Sequence, residues 1–499
     1  MSWLLNWQEV AIFDANAEAL GVKVSTLMGS AGSSLARKAA EMIADGEFLI
    51  LCGPGNNGGD GFAAAIELAE MGGLVRVIAS HDEQKGEAAQ GFRLQCEGIA
   101  NDDASSLTME IWSKDCDFGS PALLVDCLLG VGLEGAPRSV VGEMIEWVKP
   151  NNPPLVLACD IPTGLGSELF LAADATVTFH SEKFGMSYVD VGEIVVAPLP
   201  WPPETIDCGP GDALRYPPLD ENAHKGQRGK LLIVGGGPYH GAPILAGRAA
   251  ARIGVDLVHV AMPRNAVDRA TWPDHLIPER LFDEDNLDER GVSEIIALID
   301  EKSFDAVLIG PGLGRTEGTM DGVRILLEKC SEEGIPTVID ADAIYALDEG
   351  IWPAGLEGVI TPHARELRMW LWDANPAEIL ASSRVDDKGG EQVKIDPESR
   401  VIVRTGAVDQ LTAIEGRYCE CRGGHPRMAT GGTGDLLAGT IAGLLAQGMK
   451  SWPATRLACY VMREAGIMTA HEFGPGLLAS DVPQHIARVL TKLTADSKN

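Results

Sequence analysis

A run of small residues near the C-terminus combines the features of an anion site with an acid beside it. Thr430-Gly-Gly-Thr-Gly434 leads directly into Asp435 and then into an apolar, small-residue segment with the composition of a helix. Free backbone N–H groups at a glycine-rich helix start suit a phosphate or a developing anion. An aspartate repels a phosphate, so Asp435 is either the N-cap of the helix or a base acting on a hydroxyl beside the phosphate. The run alone leaves both alternatives open.

In the first half of the chain, three polar groups follow short apolar strands. Asn56-Asn57-Gly-Gly-Asp60 comes after the strand Phe48–Cys52, Asp126 ends a second strand, and Asp160 ends a third. Ligands of doubly wound sheets bind at the carboxyl ends of the strands, so these groups predict one binding crevice. The first loop has neither the spacing of a dinucleotide fingerprint nor the lysine of a P-loop. A plain Asn-Gly turn is the alternative for that loop.

Oxygen-bearing side chains at these strand ends also suit a metal ion. Asn57, Asp126 and the Thr163 hydroxyl are hard ligands that could hold an alkali or alkaline-earth cation. Cys419-Glu-Cys421 near His425 could be part of another metal site, but no second ligand pair accompanies it. Because the ten cysteines are scattered without a Cys-x-x-Cys, we expect reduced structural thiols.

The elements that must position these residues alternate between strands and helices. In the first half we predict helices over 8–20 and 33–45, with Ser33-Ser34 as a cap, then strands 48–52, 75–78, 122–126, 155–160 and 175–179 with a helix over 62–71. In the second half we predict strands over 229–234, 255–262, 305–310, 337–340, 358–363 and 401–404, with helices over 245–254 and about 320–333. Such alternation predicts α/β folds with parallel sheets.

The length, net charge and hydropathy of the chain limit the number of domains, the class of partner and the location that we expect. At 499 residues it is too long for one ordinary core, and the proline-rich stretches 198–203 and 216–219 indicate a join between domains 1–215 and 216–499. A net charge of −32 argues against a nucleic-acid partner. No uncharged apolar run of about 20 residues predicts a membrane span. With no signal-peptide pattern at the N-terminus, we expect a cytoplasmic protein.

The motifs of the first half resemble a known family. Asn56-Asn-Gly-Gly-Asp-Gly61, Asp126-x-x-x-Gly-x-Gly-x-x-Gly135 and Asp160-Ile-Pro-Thr-Gly164 are similar to the NAD(P)H-hydrate epimerase domain, over about residues 5–205. The resemblance implies a Rossmann-like doubly wound α/β sandwich. It implies that hydrated NAD(P)H is bound by Asn56, Asn57, Gly58, Gly59, Asp60, Gly130, Val131, Gly132, Leu133, Glu134, Gly135, Ala136 and Asp160. It also implies K⁺ at Asn57, Asp126 and Thr163, where Thr163 replaces the serine of many members. Asp160 and Lys183 are our candidates for proton transfer.

The second half resembles the ribokinase-like superfamily and, within it, NAD(P)H-hydrate dehydratases. The match covers about residues 224–490 and rests on Gly235-Gly-Gly-Pro-Tyr239, Gly310-Pro-Gly-Leu-Gly314, Asp340-Ala-Asp-Ala343, Thr361-Pro-His363 and Gly431-Gly-Thr-Gly-Asp435. It implies that the hydrate is contacted by Ala242, Gly312, His363 and Asp435, and the adenine nucleotide by Thr405, Gly406, Ala407, Val408, Asp409 and Gly434. Many members have Lys-Gly where this chain has Arg404-Thr-Gly406, and Arg404 is the candidate to replace the missing charge.

Together the two resemblances imply a bifunctional repair enzyme of archaeal type. It would epimerise R- and S-NAD(P)H hydrates and dehydrate the S form at the expense of ADP or ATP, with Mg²⁺ on the nucleotide, after transient phosphorylation of the hydrate hydroxyl by way of Asp435. We expect ADP rather than ATP, and a homo-oligomer. Two alternatives remain: a small-molecule kinase of the ribokinase superfamily, and a first half that serves only as a binding scaffold.

Overall fold

Two sheets, each in its own unit of the chain, organise the fold. The structure is a computed structural model that describes residues 4–102, 104–132, 135–186, 189–220, 222–372, 374–382 and 395–496. The chain divides into two units, Met1–Thr205 and Ile206–Asn499. This division lies earlier in the chain than the predicted boundary at 215/216.

The first unit is built on a seven-stranded parallel sheet. Its helices are α1 (Trp7–Ala19), α2 (Val24–Met42), α3 (Asn56–Glu70), α4 (Glu87–Ala100) and α5 (Ser139–Asn151). Its strands are β1 (Glu47–Cys52), β2 (Leu74–Ala79), β3 (Leu107–Ile111), β4 (Leu123–Cys127), β5 (Val156–Cys159), β6 (Ala175–Phe179) and β7 (Glu193–Ala197). The strand order is β3-β2-β1-β4-β5-β6-β7. The central strands are mostly apolar because both faces of the sheet are covered, by α2, α3 and α4 on one side and α5 on the other.

Helix α2 begins nine residues before the predicted start at 33, and this prediction was wrong. Ser33 and Ser34 lie inside the helix, where the Ser34 hydroxyl donates to the Ser30 carbonyl at 3.0 Å. Gly32, just before the predicted start, also lies inside the helix and serves packing. A Cβ on Gly32 would lie 2.5 Å from the Cβ of Ala63, so the glycine lets α2 pack closely on α3.

Helix α3 begins at Asn56 rather than at the predicted residue 62. The glycine-rich motif is therefore the first turns of a helix and not a loop in front of one. Gly58 is required there because a Cβ on it would lie 1.9 Å from the Gly53 carbonyl oxygen at the end of β1. The close approach brings Asn56, Asn57 and Asp60 to the carboxyl edge of the sheet.

The second unit is built on a nine-stranded sheet. Its helices are α6 (Gly241–Arg252), α7 (Arg264–Arg269), α8 (Glu289–Lys302), α9 (Glu317–Glu332), α10 (Ala364–Leu371), α11 (Pro376–Ser382), α12 (Thr433–Ala446), α13 (Ser451–Phe473) and α14 (Pro483–Asp496). Its strands are β8 (Lys230–Val234), β9 (Leu257–Pro263), β10 (Leu276–Leu281), β11 (Ala306–Ile309), β12 (Thr337–Ile339), β13 (Gly358–Ile360), β14 (Arg400–Arg404), β15 (Asp409–Ala413) and β16 (Tyr418–Cys421). The order is β10-β9-β8-β11-β12-β13-β14-β15-β16.

One edge of this sheet departs from the predicted parallel arrangement. Strands β14, β15 and β16 pair antiparallel, whereas β8 to β14 are parallel. The turn between β14 and β15 is short, and a short connection can only join antiparallel neighbours. Residues 405–408 therefore sit at the carboxyl end of β14, at the same edge as the loops after β8, β11, β12 and β13.

Residues 206–215 belong to the second unit and are tied to α13. Arg456 of α13 pairs with the buried Asp212 at 2.6 Å and donates to the carbonyls of Ile206 and Asp207, both at 2.9 Å. Both charges are buried, so removing either partner would leave the other uncompensated. This ion pair explains why the unit starts before the proline-rich stretch at 216–219. In neither unit does a described helix have the length and apolar character needed to cross a membrane.

Candidate active sites

The first candidate site is a cleft of about 540 Å³ in the first unit. It opens where the strand order reverses between β1 and β4, which is the usual ligand position in a doubly wound sheet. Its walls are formed by α1, α2, the start of α3 and the segments at the ends of β4, β5 and β6. The predicted residues that line it are Asn56, Asn57, Asp60, Gly130, Val131, Gly132 and Asp160.

Not every predicted binding residue reaches this cleft. Gly58 and Gly59 are buried behind it, with Gly59 packed against Met28. Gly135 and Ala136 follow the lining segment without being part of the lining. Leu133 and Glu134 lie outside the described residues. The structure thus brings together the polar members of the motif and uses the glycines to position them.

Asp126 and Thr163 form one buried network below the cleft. The Thr163 hydroxyl donates to Asp126 at 2.7 Å, and the Thr163 and Leu128 backbone N–H groups donate to the same carboxyl at 2.8 and 3.2 Å. All three donors are neutral, and burial raises the pKa of Asp126 to about 6. Nearby, the side-chain nitrogen of Asn57 is buried and has no hydrogen-bond partner within the described part of the chain.

Asp160 and Lys183 form an ion pair at the edge of the cleft. Lys183 Nζ lies 2.8 Å from Asp160 Oδ1 and also donates to Thr178 Oγ1 at 2.8 Å and to the Phe179 carbonyl at 2.5 Å. Lys183 is buried, so removing this carboxylate would leave a buried cation without its ion-pair partner. Asp160 itself adopts φ 65°, a left-handed conformation that few non-glycine residues hold without a local reason.

Three titratable residues of the cleft, Asp14, His180 and Lys85, were missed by the sequence analysis. Asp14 of α1 lines it, and burial together with the charge of Asp160 raises the pKa of Asp14 to about 7, against the opposing effect of Lys183. His180 also lines it, stacks on Trp201, and has its pKa lowered to about 2, mainly by burial. The only local signal for Asp14 was its helical spacing from Trp7 and Val10, which puts the three on one side of α1.

Asp60 is a third carboxyl group in the same cleft. Burial, and then the charges of Asp160 and Asp14, raise its pKa well above the usual range. The Cys159 thiol lies 3.9 Å from Asp60 Oδ2. The raised pKa favours the protonated form of Asp60, and that form can donate a hydrogen bond to a ligand.

The second candidate site lies at the carboxyl edge of the nine-stranded sheet, where Asp435 stands in the first turn of α12. The N-cap of α12 is Gly432, with φ 98° and no side-chain cap, so the alternative of Asp435 as the N-cap is wrong. A Cβ on Gly432 would lie 2.6 Å from Leu245 and 2.9 Å from Ala479, and no other residue type fits both that space and that φ. Asp435 is left facing the site.

Helices α6 and α12 have their N-termini side by side at this edge. Along α12, Gly432 meets Leu245, Gly439 meets Ala246 and Gly443 meets Ala250, so α12 and α6 run parallel with their N-termini together. Ala242 is in the first turn of α6 and Gly434 in the first turn of α12. The space around Gly434 is open, and its neighbour Thr433 has a buried hydroxyl without a partner among the described residues. The paired N-termini favour an anionic ligand.

Two carboxyl groups of one segment, Asp340 and Asp342 after β12, lie near Asp435. Burial and the charge of Asp342 raise the pKa of Asp435 to about 6. Burial and the charge of Asp435 raise the pKa of Asp340 to about 7, while Asp340 accepts from the Thr361 hydroxyl at 2.6 Å. Asp342 pairs with Arg315 at 2.6 Å. Asp435 is thus a carboxyl group that is mostly ionised at neutral pH but remains basic enough to accept a proton.

The predicted substrate residues Gly312 and His363 belong to the same edge. Gly312 has φ 71°, and a Cβ on it would lie 2.2 Å from the Tyr239 carbonyl oxygen, so it holds two loops together. His363 is the N-cap of α10 and accepts from the backbone N–H groups of Arg365 and Glu366. It also forms an isolated bridge with Thr405, which joins the predicted substrate and nucleotide segments.

Arg463 of α13 holds the predicted nucleotide loop, residues 405–409. It pairs with Asp409 at 2.6 Å and donates to the carbonyls of Gly406 and Ala407 at 2.8 and 3.0 Å. The Gly406 N–H also donates to Asp409 at 3.0 Å. Arg404, the residue expected to replace the missing lysine, instead donates to Gln410 at 2.9 Å. Sequence reasoning missed Arg463 because no local pattern links it to a loop more than 50 residues away.

The cysteines do not form a metal cluster. All ten are free thiols, and Cys419 and Cys421 are buried on β16. The Sγ atoms of Cys208 and Cys419 lie 3.8 Å apart. Within the described ranges, no group of three or more His, Cys, Asp or Glu side chains is arranged to hold a metal ion.

Comparison with known proteins finds relatives along nearly the whole chain. Residues 231–488 match the family model for NAD(P)H-hydrate dehydratase, and residues 24–185 match the model for the YjeF-related protein N-terminus. The bifunctional NAD(P)H-hydrate repair enzyme Nnr of Hyperthermus butylicus is 37% identical, over 97% of this chain and 91% of the relative. The enzyme of the same name from Methanothermobacter thermautotrophicus is 33% identical, over 97% of this chain and 94% of the relative.

Proposed function

The chain belongs to the family of bifunctional NAD(P)H-hydrate repair enzymes, and we propose that its two units divide the two reactions between them. The first unit interconverts the R and S hydrates of NAD(P)H. The second unit dehydrates the S form at the expense of ADP or ATP. The observation that carries the proposal is the position of Asp435, at the shared N-terminal end of α6 and α12 and beside the loop held by Arg463.

In the second unit, Asp435 is the base. The hydrate carries a hydroxyl on the ring carbon next to the ring nitrogen, and hydroxide is a poor leaving group. Asp435 takes the hydroxyl proton while the oxygen attacks the terminal phosphorus of the nucleotide and releases the shortened nucleotide. The ring nitrogen then expels phosphate, and loss of a proton from the adjacent carbon restores NAD(P)H. The helix N-termini stabilise the charge on the phosphoryl oxygens.

Binding in this site is assigned to two sets of residues. Ala242, Gly312 and His363 contact the hydrate, and Thr405, Gly406, Ala407, Val408, Asp409 and Gly434 contact the nucleotide. Their common position at one sheet edge supports this assignment. Arg463 orders the nucleotide loop and supplies the positive charge that the missing lysine would otherwise provide.

In the first unit, Asn56, Asn57, Asp60 and the segment Gly130–Gly132 bind the hydrate, and Asp160 with Lys183 moves protons. The cleft of about 540 Å³ is large enough to receive the hydrated ring. Asp60 donates a hydrogen bond from its protonated carboxyl. Asp160 forms an ion pair with Lys183 at 2.8 Å and acts as the base.

A potassium ion fits the chemistry of Asn57, Asp126 and Thr163. Asp126 is a buried carboxyl group with neutral hydrogen-bond donors, and Asn57 brings a buried amide whose nitrogen lacks a partner among the described residues. Their oxygens are hard ligands suited to an alkali cation. A bound K⁺ would neutralise the Asp126 carboxylate and favour its ionised form. The chain's own contribution is to hold the ends of β4 and β5 together through Thr163.

Several finer assignments belong to the same proposal. Mg²⁺ arrives bound to the phosphates of the nucleotide and is part of the substrate complex. ADP is the expected phosphoryl donor, with ATP as the alternative. A cytoplasmic location and a homo-oligomeric state remain predictions.

The experiment is to give the purified enzyme pure S-NADHX or pure R-NADHX with Mg²⁺ and either ADP or ATP, and to follow NADH absorbance and phosphate. We expect the S form to return NADH only with a nucleotide, one phosphate being released per NADH. Recovery from the R form should exceed its spontaneous epimerisation.

Three results would count against the proposal. Failure to return NADH from the S form with either nucleotide contradicts the dehydratase assignment. A stable phosphorylated product without NADH would identify the small-molecule kinase instead. An R form that recovers only at its spontaneous rate would identify the first unit as a binding scaffold.

A further inference from the structure

Two carboxyl groups reach the cleft of the first unit from different elements. Asp160 comes from the end of β5, whereas Asp14 comes from α1, which contributes Trp7, Val10 and Ala11 to the same wall. Both side chains line one cavity, so a ligand ring between them would present its two faces to different carboxyl groups. Interconversion of two hydroxyl epimers is a reaction that needs chemistry on both faces of one ring carbon.

The two carboxyl groups have different surroundings. Lys183 Nζ lies 2.8 Å from Asp160 Oδ1, so Asp160 is the member that forms an ion pair with the lysine. Burial raises the pKa of Asp14 to about 7, and the negative charge of Asp160 adds to this effect while Lys183 opposes it. Other charged or titratable groups of the cleft are Asp60 of α3, Lys85 before α4, and His180 after β6. One protonated and one ionised carboxyl group is the pairing that acid–base catalysis uses.

We propose that Asp14 is a catalytic residue of the epimerase, the acid that protonates the departing hydroxyl of the hydrate opposite the base Asp160. This inference rests on the proposed function of the first unit. Asp14 donates its proton to the hydroxyl oxygen, the C–O bond breaks to release water, and the ring nitrogen lone pair forms a C=N⁺ bond. Asp160 then takes a proton from a water molecule that adds to the opposite face of the carbon. The hydroxyl is restored with inverted configuration, and the reverse epimerisation exchanges the two roles.

Asp60 is less suited to the same task, although it also lines the cleft. Its pKa is raised well above the usual range, and the Cys159 thiol lies 3.9 Å from its carboxyl. Burial that favours the protonated form so strongly makes a group less ready to give up its proton and recover it in a catalytic cycle. Asp14 titrates near neutral pH, so it can give up a proton and recover it in each turnover.

The test measures interconversion alone. R-NADHX is incubated with the full-length enzyme without nucleotide, so that no dehydration occurs, and the two epimers are separated by chromatography over a range of pH. For the wild type we expect the rate to fall as the pH rises above about 7, because the acid form of Asp14 is lost. Asp14→Asn should lower the turnover number roughly 100-fold and abolish this alkaline fall. Asp14→Glu should retain it.

The matched control is Glu18→Gln, an exposed acid on the same helix, which should leave rate and pH profile unchanged. An Asp14→Asn enzyme within threefold of the wild type, or one that keeps the alkaline fall, overturns the inference. If Asp14→Asn folds poorly, the pH profiles of the wild type and of Asp14→Glu decide instead. Absence of the alkaline fall in both proteins also overturns the inference. A wild type that does not interconvert the epimers at all refutes the proposed epimerase, and this inference with it. If only the assignment of Asp14 is wrong, the wild type still interconverts the epimers, so the two failures can be told apart.

Discussion

Replacing Arg463 tests whether a distant cation has taken over the task of the missing lysine. Arg463 joins three segments: its guanidinium pairs with Asp409 at 2.6 Å and donates to the carbonyls of Gly406, Ala407 and Gly423 at 2.8, 3.0 and 3.2 Å. The side chains of Arg463 and Asp409 are 16% and 8% exposed, so the pair is largely shielded from water. Breaking a fully buried pair of this kind costs about 3–5 kcal/mol, which is an upper bound here.

Arg463→Lys is the informative change because it keeps the charge but loses the planar fork. A lysine can retain the contact with Asp409 and cannot reach three carbonyls at once. Loss of two or three contacts, each worth about 1 kcal/mol net, should disorder the loop before the nucleotide binds. We expect KM for ADP or ATP to rise roughly 10- to 100-fold, or about 1.4–2.8 kcal/mol. The turnover number should change less, because Asp435 is untouched.

The assay is S-NADHX dehydration at saturating hydrate with varied nucleotide. Arg404→Gln is the matched control: Arg404 flanks the same loop but donates to Gln410, so its loss should change KM by less than about threefold. An unchanged nucleotide KM in Arg463→Lys would refute the reasoning. A larger rise of the nucleotide KM in Arg404→Gln than in Arg463→Lys would also refute it. Arg404, next to the position of the expected lysine, would then be the residue that replaces the lysine's charge.

Three further predictions concern other parts of the chain. Burial raises the pKa of Asp435 to about 6, and a base must be ionised, so the rate of S-NADHX dehydration should fall as the pH drops below about 6. A rate that falls only near pH 4 would contradict this. Asp126→Asn should remove the difference between K⁺ and Na⁺ in the epimerase rate, and retained K⁺ activation would place the ion elsewhere. In thermal or urea unfolding, Gly58→Ala should destabilise the first unit by about 1–3 kcal/mol, because the Cβ would lie 1.9 Å from the Gly53 carbonyl oxygen. Gly91→Ala is the control: its Cβ would enter open space beside α4, so the change should be neutral or stabilising.

The fold class could be predicted because the strands are apolar on both faces and stand out as short runs between helices. The strand over 175–179 was predicted with its observed bounds, since it lies between polar turns. Helix starts were harder. Gly32 and Gly58 look like helix breakers in the sequence, yet both serve close packing within helices against partners that are distant in the chain. Such contacts carry no local signal.

The site could be predicted only where a motif carries its residues. Asp160 follows a strand and opens Asp-Ile-Pro-Thr-Gly164, whereas Asp435 follows a glycine-rich run at a helix start, and that local context pointed to chemistry. Asp14 and Arg463 have no such context, because one is an acid within α1 and the other a cation on a long helix. Their significance comes from what they face, which is Asp160 in one unit and Asp409 in the other.

The central claim is that one chain holds two separate active sites, dependent on Asp160 and on Asp435. Asp160→Asn and Asp435→Asn proteins, tested alone and mixed, measure it directly as NADH returned from each epimer with Mg²⁺ and nucleotide. We expect Asp160→Asn to repair the S form but to recover the R form only at its spontaneous rate. Asp435→Asn should repair neither, and the mixture should repair both. NADH returned from the S form by Asp435→Asn alone, or a mixture no better on the R form than Asp160→Asn alone, would contradict the account.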